Sequence, residues 1–429
     1  MVGYAELTRS PSVFVAIDVS KSRYDVLIEP PCERRKRLTL GPTKVAFEQF
    51  AELLKHYQLP CHIAFEATGD YHRPLAVFLQ RQGFALHLVS SIATNRTREA
   101  LFNSWDKNDP KDAQVILHLL KTGGTQTYHD PLVNGYNDLR ELSDTYQQLC
   151  LAKVRLQHRI KTHFLPLYFP EAEIFAGTTR AEWFVQLLLL TPCPAAVVRR
   201  SKATFIRLAS KTKGRKVDKV RWLGDFYEAA RMSIGLPVSE DSEAMRMFRL
   251  VLEQYAELVS LRRRLENDVA RKLAAHPDYQ RLRTIPGIGP ILALTILAEA
   301  GDLRRFGHHR QFLKYCGLDL CTDQSGKFRG STHLSKRGNA RLRYAFWMAA
   351  TNAIRMRENS FRAKFTRYIR SDPANADLKR KAFTAVAVKM ARVAYGLVKN
   401  AIDFRRFHEA TEPSGGIHSP RAVEALATS

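Results

Sequence analysis

Residues 13–18 read Val-Phe-Val-Ala-Ile-Asp, an apolar run rich in β-branched side chains and closed by one acid. No Gly, Pro or charge interrupts it before Asp18, which is the pattern of a buried strand. A carboxylate at the end of such a strand is costly unless it is paired or holds a metal ion. If Asp18 holds a metal, other acids must reach it from later in the chain.

Three later acids stand where they can do so. Tyr24–Ile28 and Arg37–Leu40 read as two more strands, the first forming a hairpin with residues 13–18. Gly41-Pro42-Thr43 opens a helix running to about Tyr57. Cys61–Phe65 is a further apolar run, and it too ends in an acid, Glu66. A helix over Arg73–Arg81, with Pro74 in its first turn, and a strand over Phe84–Val89 complete a mixed α/β sheet. Asn108-Asp-Pro-Lys-Asp112 then has the form of a helix start, with Asp109 at the N-cap and Pro110 at the first helical position. Asp109 and Asp112 are three apart and share a side of the helix. Two divalent ions about 3.5–4 Å apart need several carboxylates around them, and Mg²⁺ takes oxygen ligands without His or Cys. Asp18, Glu66, Asp109 and Asp112 meet that need. The plainer readings are a capped helix start for Asp109 and Asp112 and a turn cap for Asp18. Asp25, Asp70 and Asp106 are competing acids.

From Leu139 the period changes. Leu139, Leu142, Tyr146, Leu149, Lys153, Leu156 and Ile160 fall on a heptad seam that is predicted to end before Pro166. A second long helix is predicted from about Asp241 to Ala275. Between them lies a basic stretch, residues 199–221, which includes Arg215 and Lys216. With Phe205, Trp222 and Phe226 it suits nucleic-acid contact by stacking, or else forms a solvated face. Two long helices bracketing an insert predict a coiled-coil arm that returns on itself or on another subunit.

Pro286-Gly287-Ile288-Gly289-Pro290 between two helical stretches has the helix-hairpin-helix pattern, whose turn offers backbone N–H groups to a phosphate. The competing reading is an ordinary helical turn. Further on, Thr322–Asn339 reads as a loop containing Gln324-Ser325-Gly326. A serine nucleophile needs activation and charge stabilisation. Arg329, Lys336, Arg337, Arg341 and Arg343 can supply the charge, and Lys327 lies in the same basic segment. Taken alone, Ser325 reads equally as a loop residue.

The formal net charge of +25 over 429 residues exceeds what solubility requires and calls for a polyanionic partner, nucleic acid first. No stretch approaches the ~20 apolar residues of a spanning helix, which argues against a membrane. The N-terminus lacks the apolar core of a signal peptide, and six scattered cysteines show no zinc spacing. These features predict a cytoplasmic chain with reduced thiols.

Together and in order, AIDVSK, FEATG, NDPKDA, PGIG, QSG and SKRGNARLR resemble the DEDD-type insertion-sequence transposases of the IS110 family, bridge-RNA-guided DNA recombinases. The likeness spans about Val13 to Asn400. It implies an α/β RuvC-like (RNase H-like) domain over residues 1–130, with Asp18, Glu66, Asp109 and Asp112 as ligands of Mg²⁺, or alternatively Mn²⁺. A coiled-coil arm follows over 131–280, with its basic insert at about 166–240. A mainly α transposase domain with the helix-hairpin-helix occupies 281–408, and a flexible tail 409–429. The resemblance makes Ser325 the nucleophile, with Ser335 as runner-up and the acid cluster of another subunit completing the site. It implies nucleic-acid contacts at Gly287, Gly289, Lys327, Arg329, Lys336, Arg337, Arg341, Arg343, Arg215 and Lys216. The partners it implies are donor and target double-stranded DNA, a noncoding bridge RNA, and further copies of the chain as a dimer assembling to a tetramer. The setting it implies is the prokaryotic cytoplasm at the nucleoid.

Two departures stand out. Asp319-Leu320 replaces the proline that often follows at that point in the family, and the basic insert is longer than in compact members. One rival reading is a RuvC-like junction nuclease in which metal-activated water attacks and Ser325 is structural. The other is a binding protein with a decayed site.

Overall fold

The computed structural model describes residues 11–66, 69–102, 109–176, 181–211, 219–325, 328–357 and 359–404. The chain divides into two compact units, Met1–Asn137 and Asp138–Ser429.

In the first unit, the run that opens the sequence becomes β1 (Val13–Val19). Its alternation puts Val13, Val15, Ile17 and Val19 on one face and Phe14, Ala16 and Asp18 on the other. Then follow β2 (Tyr24–Glu29), β3 (Lys36–Leu40), α1 (Lys44–His56), β4 (Cys61–Glu66), α2 (Arg73–Arg81), β5 (Ala85–Val89), α3 (Ser91–Phe102), α4 (Asp109–Lys121) and β6 (Gln126–Thr127). The sheet order is β3-β2-β1-β4-β5-β6. β1 to β3 form an antiparallel meander, β4 and β5 lie parallel to β1, and β6 closes the edge antiparallel to β5. The unit is a mixed α/β sheet of six strands.

The two faces carry separate cores. Val15, Ile17, Ile63 and Phe65 pack with Phe47, Phe50 and Leu54 of α1 and Leu75 and Leu79 of α2. On the other face Ala16, Leu27, Ala64 and Val89 pack with Ala113, Ile116, Leu117 and Leu120 of α4. The small Ala16 and Ala64 let that helix lie close to the sheet. Thr43 caps α1 by accepting from the Ala46 amide, as the Gly-Pro-Thr start predicts.

The second unit opens with α5 (Asn137–Arg159). The helix does not stop before Pro166. It widens into a π-turn over Ile160–Phe164 and continues as α6 (Leu165–Tyr168), with Pro166 in its first turn. A proline lacks the N–H that an α-helical ladder needs, and the π-turn absorbs the break. Short helices follow, α7 (Ala172–Phe175), α8 (Ala181–Leu190), α9 (Pro194–Val198), α10 (Lys202–Ala209) and α11 (Lys219–Arg231). The second long helix is α12 (Glu243–Lys272), capped by Ser242. It runs antiparallel to α5: Tyr146 donates to Glu266 (2.9 Å), Lys153 sits over the Tyr255 ring, and Phe164 stacks on Phe248 at 4.7 Å. Leu139 and Ile160, at the ends of the predicted seam, are buried, whereas Leu151 and Val154 off the seam are exposed.

Among the described residues of the insert between these helices, the aromatic rings pack mainly against one another. Phe205 and Phe226 are buried, and Trp222 stacks on Phe226 and meets Trp183 edge-on at 4.6 Å. These rings pack with Phe169, Phe175 and Phe184 in a core shared with Phe164, Phe248 and Leu252 of the long-helix pair. The stacking predicted for Phe205 and Phe226 is thereby corrected: both rings are buried among their neighbours, and Trp222, half-buried, packs on Phe226. Arg215 and Lys216 lie outside the described residues.

The remainder comprises α13 (Pro277–Thr284), α14 (Pro290–Ala300), a short 3₁₀ turn (Leu303–Arg305), α15 (His309–Cys316), β7 (Leu320–Ser325), β8 (Phe328–Leu334), α16 (Ala340–Ala353), α17 (Ser360–Ile369) and α18 (Ala376–Asn400). The predicted loop at 322–339 is instead a two-stranded antiparallel hairpin, β7–β8. All six cysteines are free thiols. Among the described residues no helix is long and apolar enough to cross a membrane.

Candidate active site

Asp18 and Glu66 come together because their strands are neighbours. β1 and β4 pair in parallel with Ile17 opposite Phe65, so the next residues, Asp18 and Glu66, stand side by side at adjoining strand ends. Neighbouring strands lie about 4.8 Å apart, and the two acids share the face that α4 covers. Both are half-buried. The direction of α4 follows from its far end. Lys121, in its last turn, pairs with Glu29, which faces Phe14 across the ladder. The helix therefore runs antiparallel to β1 and starts at the Asp18 end. That start is Asp109-Pro-Lys-Asp112, and it brings the positive end of the helix dipole to the carboxylates. The side chain of Asp109 lies outside the described atoms.

α3, which the sequence reading left unassigned, holds two of these carboxylates. Thr94 donates its hydroxyl to Glu66 Oε2 (3.0 Å) and lies equally close to the Ser91 carbonyl. One turn later Arg98 places Nε 2.8 Å and Nη2 2.5 Å from Asp112 Oδ1. Its Nη1 donates to Asn95 (3.0 Å). Thr94, Arg98 and Asp112 are all buried. The i, i+4 spacing of Thr94 and Arg98 is the signal that could have found them, but it emerges only once residues 91–102 are known to be helical.

The competing acids have other partners. Asp25 stands opposite Asp18 in the β1–β2 ladder, but it accepts from Arg23 Nε (2.8 Å) and from Thr39 (3.0 Å). Asp70 is exposed, and Asp106 lies outside the described residues.

Chemically the donor set suits a hard divalent cation: all oxygen, carboxylate, half-sheltered and beside a helix N-terminus. Among the described residues no three His, Cys, Asp or Glu side chains form a ready cage.

Ser325 ends β7, paired with Phe328, and residues 326–327 lie outside the described part. Its backbone thus stands at the tip of a hairpin; nothing is described of its side chain, nor of that of Arg329. Ser335 sits at the opposite end, where its hydroxyl donates to Asp319 and its amide to the Asp319 carbonyl (2.9 Å). Asp319, one of the two departures from the family pattern, thus ties the base of the hairpin.

The basic residues divide. Lys336 and Arg337 are exposed. Arg341 is engaged inside the unit, paired with Asp144, 2.7 Å from Glu299 and 2.8 Å from Ser143. Arg343 donates to the carbonyls of Lys336 (3.1 Å) and Cys316 (3.4 Å). In the Pro286–Pro290 turn, packing requires glycine at 287. Its φ is +90°, and a Cβ there would lie 2.3 Å from the Ala349 carbonyl oxygen of α16. Gly289, the N-cap of α14, has open space around it.

A sheet with adjoining strand-end carboxylates and an acidic helix start is an arrangement suited to metal-dependent chemistry on phosphates. Comparison with known proteins agrees and is more specific. A family described as a DEDD transposase of IS110 matches residues 15–170. One described as Transposase IS116/IS110/IS902 family matches residues 279–366. An insertion element IS116 protein of Streptomyces clavuligerus, itself uncharacterised, is 25% identical over 81% of this chain and 86% of its own length. The putative transposase of the IS117 mini-circle of Streptomyces coelicolor is 25% identical over 74% of this chain and 78% of its own. The transposase of IS1111A from Coxiella burnetii is 34% identical over a shorter stretch, 28% of this chain and 33% of its own. Among solved structures, T. thermophilus RuvC in complex with a Holliday junction substrate matches 27% of this chain and 99% of its own at 10% identity. Its TM-score of 0.20 is too low to carry weight. The chain belongs to the IS110 family of DEDD transposases. It is an enzyme of DNA cleavage and joining, with DNA as substrate and a divalent metal as requirement.

Proposed function

We propose that this protein is a site-specific recombinase that moves its own insertion sequence, using a serine nucleophile and a Mg²⁺ site built from Asp18, Glu66, Asp109 and Asp112. The observation that carries the metal site is the adjacency of Asp18 and Glu66 at the end of the sheet where α4 begins. A bound divalent cation would polarise the scissile phosphate and stabilise the leaving oxygen. Asp18 and Glu66 would hold it, with Asp112 and Asp109 approaching from the helix start.

The Ser325 hydroxyl attacks phosphorus. The new Oγ–P bond replaces one P–O bond of the DNA strand, and the proton lost by serine ends on the departing hydroxyl. The link is a phosphodiester, so rejoining is the reverse displacement and needs no nucleotide cofactor. The position of Ser325 at a hairpin tip, with Lys336 and Arg337 exposed near the base of that hairpin, supports delivery of the serine to DNA. The acid cluster of a second subunit completes the site, a noncoding bridge RNA selects donor and target, and the working assembly is a tetramer of paired dimers. The open turn at Gly289 and the N-terminus of α14 provide a contact with the DNA backbone.

Ser325→Ala tests the nucleophile. The variant should bind DNA but form no covalent adduct and no recombinant product on a labelled suicide substrate. Full strand cleavage by the variant would instead assign the attack to water. Recombination by purified protein without RNA would remove the guide and leave the enzyme.

A further inference from the structure

Two buried side chains on α3 hold two of the acids proposed to bind metal, and neither is itself an acid. Thr94 reaches Glu66 and Arg98 reaches Asp112, four residues apart on one face of one helix. Both Arg98 contacts fall on the same oxygen, Oδ1 (2.8 and 2.5 Å). A guanidinium bound for its own stability to a carboxylate favours the two-pronged fork that engages both oxygens. This grip anchors the Asp112 carboxylate by Oδ1 and leaves Oδ2 as the oxygen a cation would take. Asn95 holds the third arm of the guanidinium at 3.0 Å, so its plane is set from within α3.

From this geometry we infer that Arg98 and Thr94 are positioning residues of the metal site. They aim Asp112 and Glu66 for a divalent cation and, through Arg98, offset the mutual repulsion of the acids before the cation arrives. The inference rests on the metal-site reading given under the proposed function. Groups that hydrogen-bond a ligating carboxylate set its orientation, and their loss typically weakens metal binding about 10–100-fold. Thr94 is suited to the same task. Its hydroxyl lies 3.0 Å from Glu66 Oε2 and 3.0 Å from the Ser91 carbonyl, so the helix backbone fixes the hydroxyl that meets the carboxylate.

The test uses the full chain without nucleic acid and Mn²⁺ as the probe, with bound metal counted from the loss of free Mn²⁺ signal in electron paramagnetic resonance. Asp18→Ala should abolish the binding seen in the wild type. Arg98→Ala should weaken it about 10–100-fold, and Arg98→Lys should restore thermal stability more than affinity, because lysine returns the charge without the planar grip. Thr94→Val, nearly isosteric and able to fold even if Arg98→Ala does not, should weaken binding severalfold. Wild-type affinity in both folded Arg98→Lys and Thr94→Val would overturn the positioning role. Tighter binding in Arg98→Ala would overturn it too, making Arg98 a competitor of the cation. Failure of the underlying reading looks different: Mn²⁺ binding absent from the wild type, or unchanged in Asp18→Ala.

Discussion

Burial holds His62, His72 and His87 below the usual histidine range, and His87 is pushed furthest, down to about 4, with His62 beside it. All three are neutral in the folded first unit at pH 7. An unfolded chain takes up their protons near pH 6.5, so stability is full above that value and falls as pH drops toward 4. His87 alone accounts for about 3 kcal/mol across that window. Hydrogen exchange in β4 and β5 should quicken as pH falls from 6.5 to 4.5, after correction for intrinsic rates, and His87→Gln should flatten that dependence. An unchanged slope would assign it to another group. At the PGIG turn, Gly287→Ala forces a side chain against the α16 backbone at positive φ and should cost about 2–4 kcal/mol. Gly289→Ala has room and should stay within about 0.5 kcal/mol of the wild type. Paired melting curves of the two variants check this, and equal losses would disprove the packing role of Gly287.

Among the elements, strands β1 to β5 and helices α1, α2 and α4 were legible because each carries a clean period or a start signal. Others were not, and three of them are instructive. α3 has a weakly amphipathic sequence, and its role lies in what Thr94 and Arg98 touch. The β7–β8 hairpin hides in a run whose glycines and charges read as loop; cross-strand pairing and the Ser335–Asp319 tie make it a hairpin. The π-turn at Ile160–Phe164 lets a helix pass a proline that by local rules should end it. The aromatic insert is the clearest reversal, because rings suited to stacking on bases stack on one another. Phe226, in contact with Trp222, Phe205, Phe169 and Phe175, should cost about 3–5 kcal/mol when cut to alanine. Nucleic-acid affinity of the folded fraction should be unaffected, which a titration at a temperature well below the melt would check.

For the molecule as a whole, a net charge of +25 makes binding to nucleic acid steeply salt-dependent. The structure sorts which cations contribute. Arg337→Ala, at an exposed position, should reduce the slope of log affinity against log salt by about 1 if it meets a phosphate. Arg341→Ala should chiefly lower stability, because it leaves buried Glu299 with Asn339 but no cation and releases Asp144. Affinity measured across 50–300 mM salt, beside melting curves, separates the two, and identical behaviour would remove the distinction.

By itself the sequence determined the sheet, the acids at its strand ends, the long helix pair and the family. These follow from local patterns, namely period-2 and period-3.6 hydrophobicity, caps, and acids placed at element ends. Tertiary structure decided which groups are already in use. Arg98 is spent on Asp112, Arg341 on Asp144 and Glu299, Gly287 on α16, and the insert's aromatic rings on each other. A side chain's chemistry is written in its residue type, but its partner is set by which distant segments pack against it. The acid at the end of the first strand shows both halves: Asp18 was visible as a ligand in search of partners, and only the parallel register of β1 and β4 set Glu66 beside it.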